Sequence, residues 1–160
     1  MALFRVRFIA EHGFISWTIR RVTFSDFSHC EIVSEDEQSY IGAHAGTGVQ
    51  ERPANYCTVS FERRYAVPVT DEQLRRGMAY ARMRIGTPYN YADIGGLLAH
   101  RNWTTKQRVI CSQFVFDTFM AMGVQVLNVL PQYDFRVTPD TLHLAPLFIG
   151  RQYYQTAAPK

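Results

Sequence analysis

The sequence predicts one domain that combines β-strands with α-helices. Three observations support this prediction: strand-like alternation over residues 3–10, a hairpin pattern over residues 27–44, and apolar residues at helical spacing after Cys111. A chain of 160 residues is long enough for one core and needs no second one. We therefore expect residues 1–160 to form a single domain.

The composition is that of a globular protein with many aromatic side chains. Hydrophobic residues make up 47% of the chain, charged residues 19% and aromatic residues 14%, so we expect a core rich in rings. The net charge of +3 is mild, and the basic residues occur as scattered pairs such as Arg20-Arg21 and Arg63-Arg64. This dispersed charge argues against a nucleic-acid partner.

The cysteines and the N-terminal segment suggest where the protein works. Three cysteines, at 30, 57 and 111, are too few for a disulfide framework and indicate a reducing compartment. No cysteine or histidine cluster has zinc-ligand spacing, so we expect no metal and no cofactor. The N-terminal segment lacks the pattern of a secretion signal, and no apolar run reaches transmembrane length. We expect a protein that is cytoplasmic as synthesised and not inserted in a membrane. If it acts outside the cytoplasm, we expect a virion, a lysis system or a secretion apparatus to deliver it.

The first half of the chain reads mainly as strands. Pro53 lies at a predicted turn, and the run 34–38 forms the turn of the hairpin. The predicted elements are a strand at 3–10, a helix at 13–23, hairpin strands at 27–33 and 39–44, and strands at 49–51 and 56–63.

The second half reads mainly as helices. Thr70 and Gln73 form a capping box that opens a helix ending before Gly86. A short helix is predicted at 91–99, followed by a polar connection at 101–107. The next helix begins at Cys111 and stops at Gly123. Beyond it we expect irregular chain and a last strand at 148–154.

Cys111 is the candidate nucleophile. It lies in the first turn of the predicted apolar helix, where unpaired backbone N–H groups and the positive end of the helix dipole favour an anion. A buried cysteine more often only fills space. The catalytic interpretation therefore depends on a base within reach of the thiol.

The hairpin supplies that base. A turn centred between residues 36 and 37 pairs positions whose numbers sum to 73, which places His29 opposite His44 on adjacent strands. Glu31 lies on the same face of the strand as His29, about 7 Å away along the strand. We favour His44 as the group that orients His29, because cross-strand neighbours lie closer, with Glu31 as the alternative. The other histidines, at 12, 100 and 143, are expected to be surface residues.

These motifs, taken in chain order, resemble those of a family of cysteine hydrolases. The order is Ser28-His29-Cys30-Glu31-Ile32, His44-Ala45-Gly46-Thr47-Gly48-Val49, Gly86-Thr87-Pro88-Tyr89, Cys111-Ser112 and Thr138-Pro139-Asp140-Thr141-Leu142. A glycine-rich Gly-x-Pro-Tyr segment before a helix-start cysteine is similar to the NlpC/P60 hydrolases, which are papain-like. Because the histidine strands precede the cysteine, the chain resembles the circularly permuted branch. That branch includes YiiX-like and phage-encoded hydrolases and the lecithin retinol acyltransferase group.

The resemblance implies an α+β fold in which a small, barrel-like antiparallel sheet packs against the cysteine helix. It implies Cys111 as the nucleophile, His29 as general base and acid, and His44 as the third member, with Glu31 as the counterpart of a His-x-Glu pattern in some phage relatives. It also implies that Tyr89 helps hold the oxyanion; a core aromatic beside a proline turn is the alternative. Ile110 stands where the standard family has an aspartate, which makes the entry to the site more apolar.

The leading expectation is a thiol hydrolase that cleaves an amide bond in a cell-wall (peptidoglycan) peptide through an acyl-enzyme. One alternative is a lipid acyltransferase or thioesterase of the lecithin retinol acyltransferase type. The other is a non-catalytic phage structural or assembly module that retains the fold.

Overall fold

The computed structural model describes residues 1–11, 20–21, 25–90, 109–129 and 137–153. Most of the helix predicted at 13–23, the helix predicted at 91–99 and the connection at 101–107 lie outside the described residues. Among the described residues, no helix is both long and apolar enough to cross a membrane.

Six strands form one antiparallel sheet with the spatial order β4-β3-β2-β1-β5-β6. The strands are β1 Ala2–Glu11, β2 His29–Val33, β3 Ser39–His44, β4 Gly48–Pro53, β5 Val59–Val69 and β6 Gln152–Tyr153. Among these strands the sheet is open, with β4 and β6 at its edges, rather than closed into the small barrel that the resemblance implies. The long strand β1 lies between β2 and β5. It pairs with β2 from Val6 to Ile9 and with β5 from Ala2 to Glu11.

The predicted hairpin register is confirmed where the two strands pair. Ile32 lies opposite Ile41 and Val33 lies opposite Tyr40, and both pairs have the expected sum of 73. The strand begins at His29 rather than at residue 27. His29 therefore stands at the very start of β2, and His44 at the end of β3.

Helix α1 spans Asp71–Met83 and begins as predicted. The Thr70 side chain accepts a hydrogen bond from the backbone of Gln73, and the Gln73 side chain accepts one from the backbone of Thr70. Each half of this box satisfies a backbone N–H that the helix itself leaves unpaired. The buried residues of the helix include Met78 and Ala81, while Ile85 lies beyond its end and is half exposed.

Helix α2 spans Cys111–Ala121 and ends near Gly123, whose φ of 72° is easily adopted by glycine. Eight of its eleven residues are buried, so this helix packs on several sides. It contacts β2, β3 and α1, and Phe119 meets Phe4 of β1 edge to face with ring centroids 5.0 Å apart. The core between sheet and helices therefore fixes where the first residue of α2 stands.

The end of the chain departs from the prediction in two ways. A short helix α3, Pro139–His143, replaces part of the expected irregular chain, because Thr138 caps the backbone N–H of Thr141 and Pro139 fits the first helical position. The strand expected at 148–154 is wrong over its first part. A 3-10 helix occupies Pro146–Phe148 and a turn follows, which leaves only Gln152–Tyr153 paired with β5.

The strand predicted at 56–63 also differs from β5. Residues 54–57 form a turn and β5 runs on to Val69. The extension pairs with β1, from Tyr65 opposite Val6 to Val69 opposite Ala2. The strand predicted at 49–51 is likewise longer, and Pro53, expected in a turn, is the last residue of β4.

Candidate active site

Cys111 is the first residue of α2, and the residue before it leaves the helix start without a capping side chain. Ile110 has an extended backbone and makes no side-chain cap. Cys111 is only 4% exposed. Ser112, next to it, donates a hydrogen bond to the carbonyl of Val137 at 2.6 Å, which ties the start of α2 to the segment before α3. The backbone N–H groups of the first helical turn and the positive end of the dipole therefore act on the thiol.

His29 meets Cys111 because the start of β2 lies at the start of α2. The two side chains lie close enough for each to shift the pKa of the other. Burial alone would lower the pKa of His29. Cys111 opposes this effect through its charge and through hydrogen bonding, and Glu31 acts in the same direction, so the pKa of His29 is raised well above its usual value. The pKa of the Cys111 thiol is in turn lowered well below its usual value. These two shifts favour the thiolate form of Cys111 and the imidazolium form of His29.

Cys30 is a further partner of Cys111 that the sequence did not single out. Its hydrogen bond is the largest cause that lowers the pKa of Cys111 well below the usual thiol value, against the opposing effect of burial; the charge of His29 lowers it further. The pKa of Cys30 itself is raised, first by burial and then by Cys111. Cys30 therefore stays a neutral thiol beside an anionic one.

Glu31 lies on the other side of the histidine ring. Its Oε1 atom is 3.4 Å from Nε2 of His29 and 3.5 Å from Nε2 of His44. Burial would raise the pKa of Glu31, but its contact with His29 and the charges of His29 and Arg7 lower it. One ionised carboxylate oxygen thus faces both histidines.

Gly42 makes this arrangement possible. A Cβ atom at Gly42 would stand 3.0 Å from Cγ of Glu31 and 3.2 Å from Nε2 of His29. Glu31 ranked behind His44 in the sequence-based prediction, because its distance from His29 was measured along the strand. The side chain instead occupies the space above a glycine on the neighbouring strand and reaches both imidazoles.

Arg7 and Tyr56 hold the carboxylate from two directions. Arg7 lies directly opposite Glu31 in the β1–β2 pairing and donates to Oε2 at 3.2 Å, while the Tyr56 hydroxyl donates to Oε1 at 2.8 Å. Arg7 also donates to Glu62 at 2.9 Å, and burial together with Glu31 raises the pKa of Tyr56, which keeps its phenol protonated. Arg7 is 3% exposed and Glu31 is fully buried, so this is a buried ion pair with its hydrogen bonds supplied.

His44 stands beside His29 but does not occupy the role expected for it. The two ring centroids are 4.8 Å apart with the planes tilted by 43°, and Nε2 of His44 points to the same Glu31 oxygen as that of His29. Burial and the charge of His29 lower the pKa of His44 to about 3. In this arrangement Glu31, rather than His44, faces the Nε2 atom of His29, and His44 is a neutral neighbour.

Tyr89 approaches the cysteine helix through its backbone. It forms an isolated parallel bridge with Val109, two residues before Cys111, and is 7% exposed. The preceding segment is held by β4: Val49 donates to the carbonyl of Thr87 at 2.9 Å. Gly48 is required there because a Cβ would overlap that same carbonyl.

The remaining histidines do not join the site in the described part of the chain. His12 and His100 lie outside the described residues. His143, expected on the surface, is instead half-buried. Its Nε2 lies 2.7 Å from the Tyr65 hydroxyl, and its ring packs against Phe27 with centroids 4.6 Å apart.

Sequence reasoning missed Arg7, Tyr56, Cys30 and Gly42. Arg7 looked like an ordinary outward residue of an alternating strand, and Tyr56 like the first residue of another strand. The position of Arg7 opposite Glu31 can be predicted only once β1 is known to lie next to β2. The position of Gly42 could be predicted from the hairpin register, because the residue numbers 42 and 31 sum to 73 and Gly42 therefore lies opposite Glu31.

No family model and no curated protein sequence matches the chain. Among solved structures, the chain is similar to YiiX from Escherichia coli O157:H7, which is described as a metalloprotein and as DUF1105. The TM-score is 0.66, with 15% identity over 97% of each chain. The chain therefore has a YiiX-like mixed α and β fold along nearly its whole length.

Proposed function

We propose that this protein is a cysteine hydrolase that cleaves an amide bond through an acyl-enzyme intermediate, in the circularly permuted, papain-like arrangement of the NlpC/P60 hydrolases. One observation carries the proposal: the helix-start Cys111 and His29 each shift the pKa of the other, and Nε2 of His29 lies 3.4 Å from the buried carboxylate of Glu31. A nucleophile, a base and an orienting group in this sequence of contacts are the minimum set for nucleophilic catalysis by a thiol.

In the first half of the reaction, the Cys111 thiolate attacks the carbonyl carbon and forms a tetrahedral adduct. His29, protonated in the resting pair, donates its proton to the leaving amine nitrogen as the C–N bond breaks. In the second half, His29 removes a proton from water, the resulting hydroxide attacks the thioester, and the C–S bond breaks to return the thiolate. Glu31 stabilises the imidazolium and fixes the ring orientation.

The oxyanion has two sources of stabilisation. Backbone N–H groups at the start of α2 point toward charge that develops near Cys111, since Ile110 supplies no capping side chain. Tyr89 is assigned as a second donor, which its backbone bridge to Val109 beside the helix start supports. Its replacement by Phe tests this role as a loss of kcat with little change in KM.

The proposed substrate is a peptide, with cell-wall peptides as the first candidates. Val109 and Ile110 directly precede Cys111 in the chain and are 1% and 4% exposed, so the neighbourhood of the reacting bond is apolar. A cell-wall substrate requires that a virion, a lysis system or a secretion apparatus carry the protein to it.

The test is turnover by the full chain on three substrate classes: cell-wall tetrapeptides, short-chain thioesters and phospholipid vesicles. We expect cleavage of the peptides and a mass increase on Cys111 equal to the acyl fragment, both absent in Cys111→Ala and retained in Cys57→Ala. Turnover of thioesters or phospholipids alone would favour acyl transfer. A Cys111→Ala protein that still complements a deletion strain, with no turnover by the wild type, would favour a non-catalytic module.

A further inference from the structure

We infer that His29, Glu31 and His44 form a binding site for one divalent transition-metal ion, such as Zn²⁺, and that an ion bound there blocks the thiol chemistry of the same histidine. The metal site stands on the geometry of this cluster alone. The inhibition rests on the proposed hydrolase function. The two parts therefore fail separately.

The distances among the three donor atoms suit a small ion. Nε2 of His29 and Nε2 of His44 lie 3.4 and 3.5 Å from Oε1 of Glu31, and all three atoms lie within 4.8 Å of one another. A tetrahedral ion with bonds of about 2.0–2.1 Å separates its ligand atoms by about 3.3 Å. Two of the three separations already match, and the third requires only that the two rings tilt toward each other.

Among the described residues, the Nε2 atoms of His29 and His44 have no close partner other than Glu31. Neither Nε2 atom makes a hydrogen bond with any described atom, although the residues are only 7% and 6% exposed. A buried polar atom without a partner costs free energy, and such atoms are uncommon in folded proteins. Gly42 keeps the space beside them clear, because a Cβ there would stand 3.2 Å from Nε2 of His29. Two buried imidazole nitrogens without hydrogen bonds, both facing one carboxylate oxygen, form a set of metal ligands that needs little rearrangement to bind an ion.

The types of donor indicate the class of ion. Two imidazole nitrogens and one carboxylate oxygen suit zinc and its first-row neighbours, whereas calcium and magnesium prefer oxygen alone. Arg7 holds Oε2 of Glu31 at 3.2 Å, which leaves Oε1 as a single ligand atom, and the Tyr56 hydroxyl on Oε1 fixes its direction. Hydrogen bonds of this kind to ligating carboxylates are the usual support of metal sites.

Metal binding and thiol catalysis exclude each other at His29. An imidazole whose Nε2 binds a metal carries its one proton on the other nitrogen. That ring has no free nitrogen to take a second proton, so it cannot act as the base that removes a proton from water in the second half of the proposed reaction. Loss of the ion frees Nε2 and restores the base.

The site is tested by titrating the full chain with Zn²⁺ against a chromophoric chelator, and with Co²⁺ followed by its visible absorption. The Cys111→Ala protein is the reference, because it removes the reactive thiol from the measurement. We expect one equivalent of metal bound, with affinity reduced at least about 100-fold by His44→Gln or Glu31→Gln, more than the loss of a supporting group costs. His143→Gln is the matched control, since that histidine is partly buried but is not one of the three residues of the cluster, and the affinity of this variant should be unchanged.

The site is overturned if no stoichiometric binding is seen, or if His44→Gln binds as tightly as the reference. Should Glu31→Gln fail to fold, His44→Gln alone decides, because its Nε2 makes no hydrogen bond whose loss would unfold the protein. For the inhibition, peptide turnover by the wild type is compared with and without one equivalent of Zn²⁺. We expect slower turnover with zinc and no such effect in His44→Gln; equal rates in the wild type refute the inhibition while leaving the binding result standing, and no turnover by the metal-free wild type refutes the proposed hydrolase function instead.

Discussion

Gly42 and Glu31 face each other across β2 and β3, and the missing side chain of the glycine is the space that the carboxylate occupies. A Cβ at this position would lie 3.0 Å from Cγ and 3.3 Å from Oε1 of Glu31. Because Oε1 is the atom that both histidines face, the position of one glycine controls the geometry of the whole candidate site.

Replacing Gly42 by Ala should impair the site more than the fold. The added methyl forces Glu31 and the His29 ring to shift by a few tenths of an ångström, and we expect a loss in kcat/KM of about tenfold from the displaced base. The overpacking should cost about 1–3 kcal/mol in the free energy of unfolding. Ser39→Ala, at the far end of the same strand, is the control and should leave turnover unchanged. Full activity of the Gly42→Ala protein would show that the space is not needed.

Cys111 should be alkylated at neutral pH far faster than the other two cysteines. Its pKa is lowered, whereas burial raises the pKa values of Cys30 and Cys57. In metal-free protein, the rate of iodoacetamide labelling, read by mass spectrometry, should rise with pH through a midpoint below the usual thiol value of about 8.5. Because the charge of His29 helps lower that pKa, His29→Gln should move the midpoint upward and slow labelling at neutral pH by at least about tenfold. An unchanged midpoint would mean that His29 does not act on the thiol.

Breaking the buried Arg7–Glu31 ion pair should lower the free energy of unfolding substantially. Arg7→Met leaves a buried carboxylate without its arginine partner, which we expect to cost about 3–5 kcal/mol in urea denaturation. The double variant Arg7→Met/Glu31→Gln should lose less than the sum of the single losses, since the uncompensated charge is then gone.

The matched control for that pair is the exposed ion pair of Arg82 and Glu35, whose side chains are 47% and 42% exposed. Solvent screens this pair, so Glu35→Gln should cost less than about 1 kcal/mol. Equal losses at the two pairs would contradict the importance assigned to burial.

His44 should make the protein sensitive to acid. Its folded pKa is about 3 against an ordinary 6.5, so between these values the unfolded chain binds a proton that the folded chain does not. The free energy of unfolding should therefore fall as pH drops through this window, by at most about 1.4 kcal/mol per pH unit from this group. His44→Gln removes that contribution, and its urea-denaturation series, measured with a metal chelator present, should show a shallower slope than the wild type. Parallel slopes would mean that His44 is protonated in the folded state.

The sequence alone determined the local elements of this protein. Side-chain periodicity and capping chemistry act over a few residues, so the Thr70–Gln73 box, the helix that begins at Cys111 and the hairpin register could all be predicted from the printed chain. The same locality explains the errors: the extent of β5 and the short strand at Gln152–Tyr153 depend on pairing with distant strands, which no local pattern encodes.

The tertiary structure decided which residues surround the candidate nucleophile and its base. Arg7 meets Glu31 only because β1 lies beside β2, and Tyr56 meets it only because the turn after β4 folds over the sheet. His44 ranks above Glu31 when only distances along and across strands are known, because the space above Gly42 depends on how the side chains pack. The choice between Glu31 and His44 is a matter of volume and buried charge, and both are properties of the packed molecule rather than of the order of its residues.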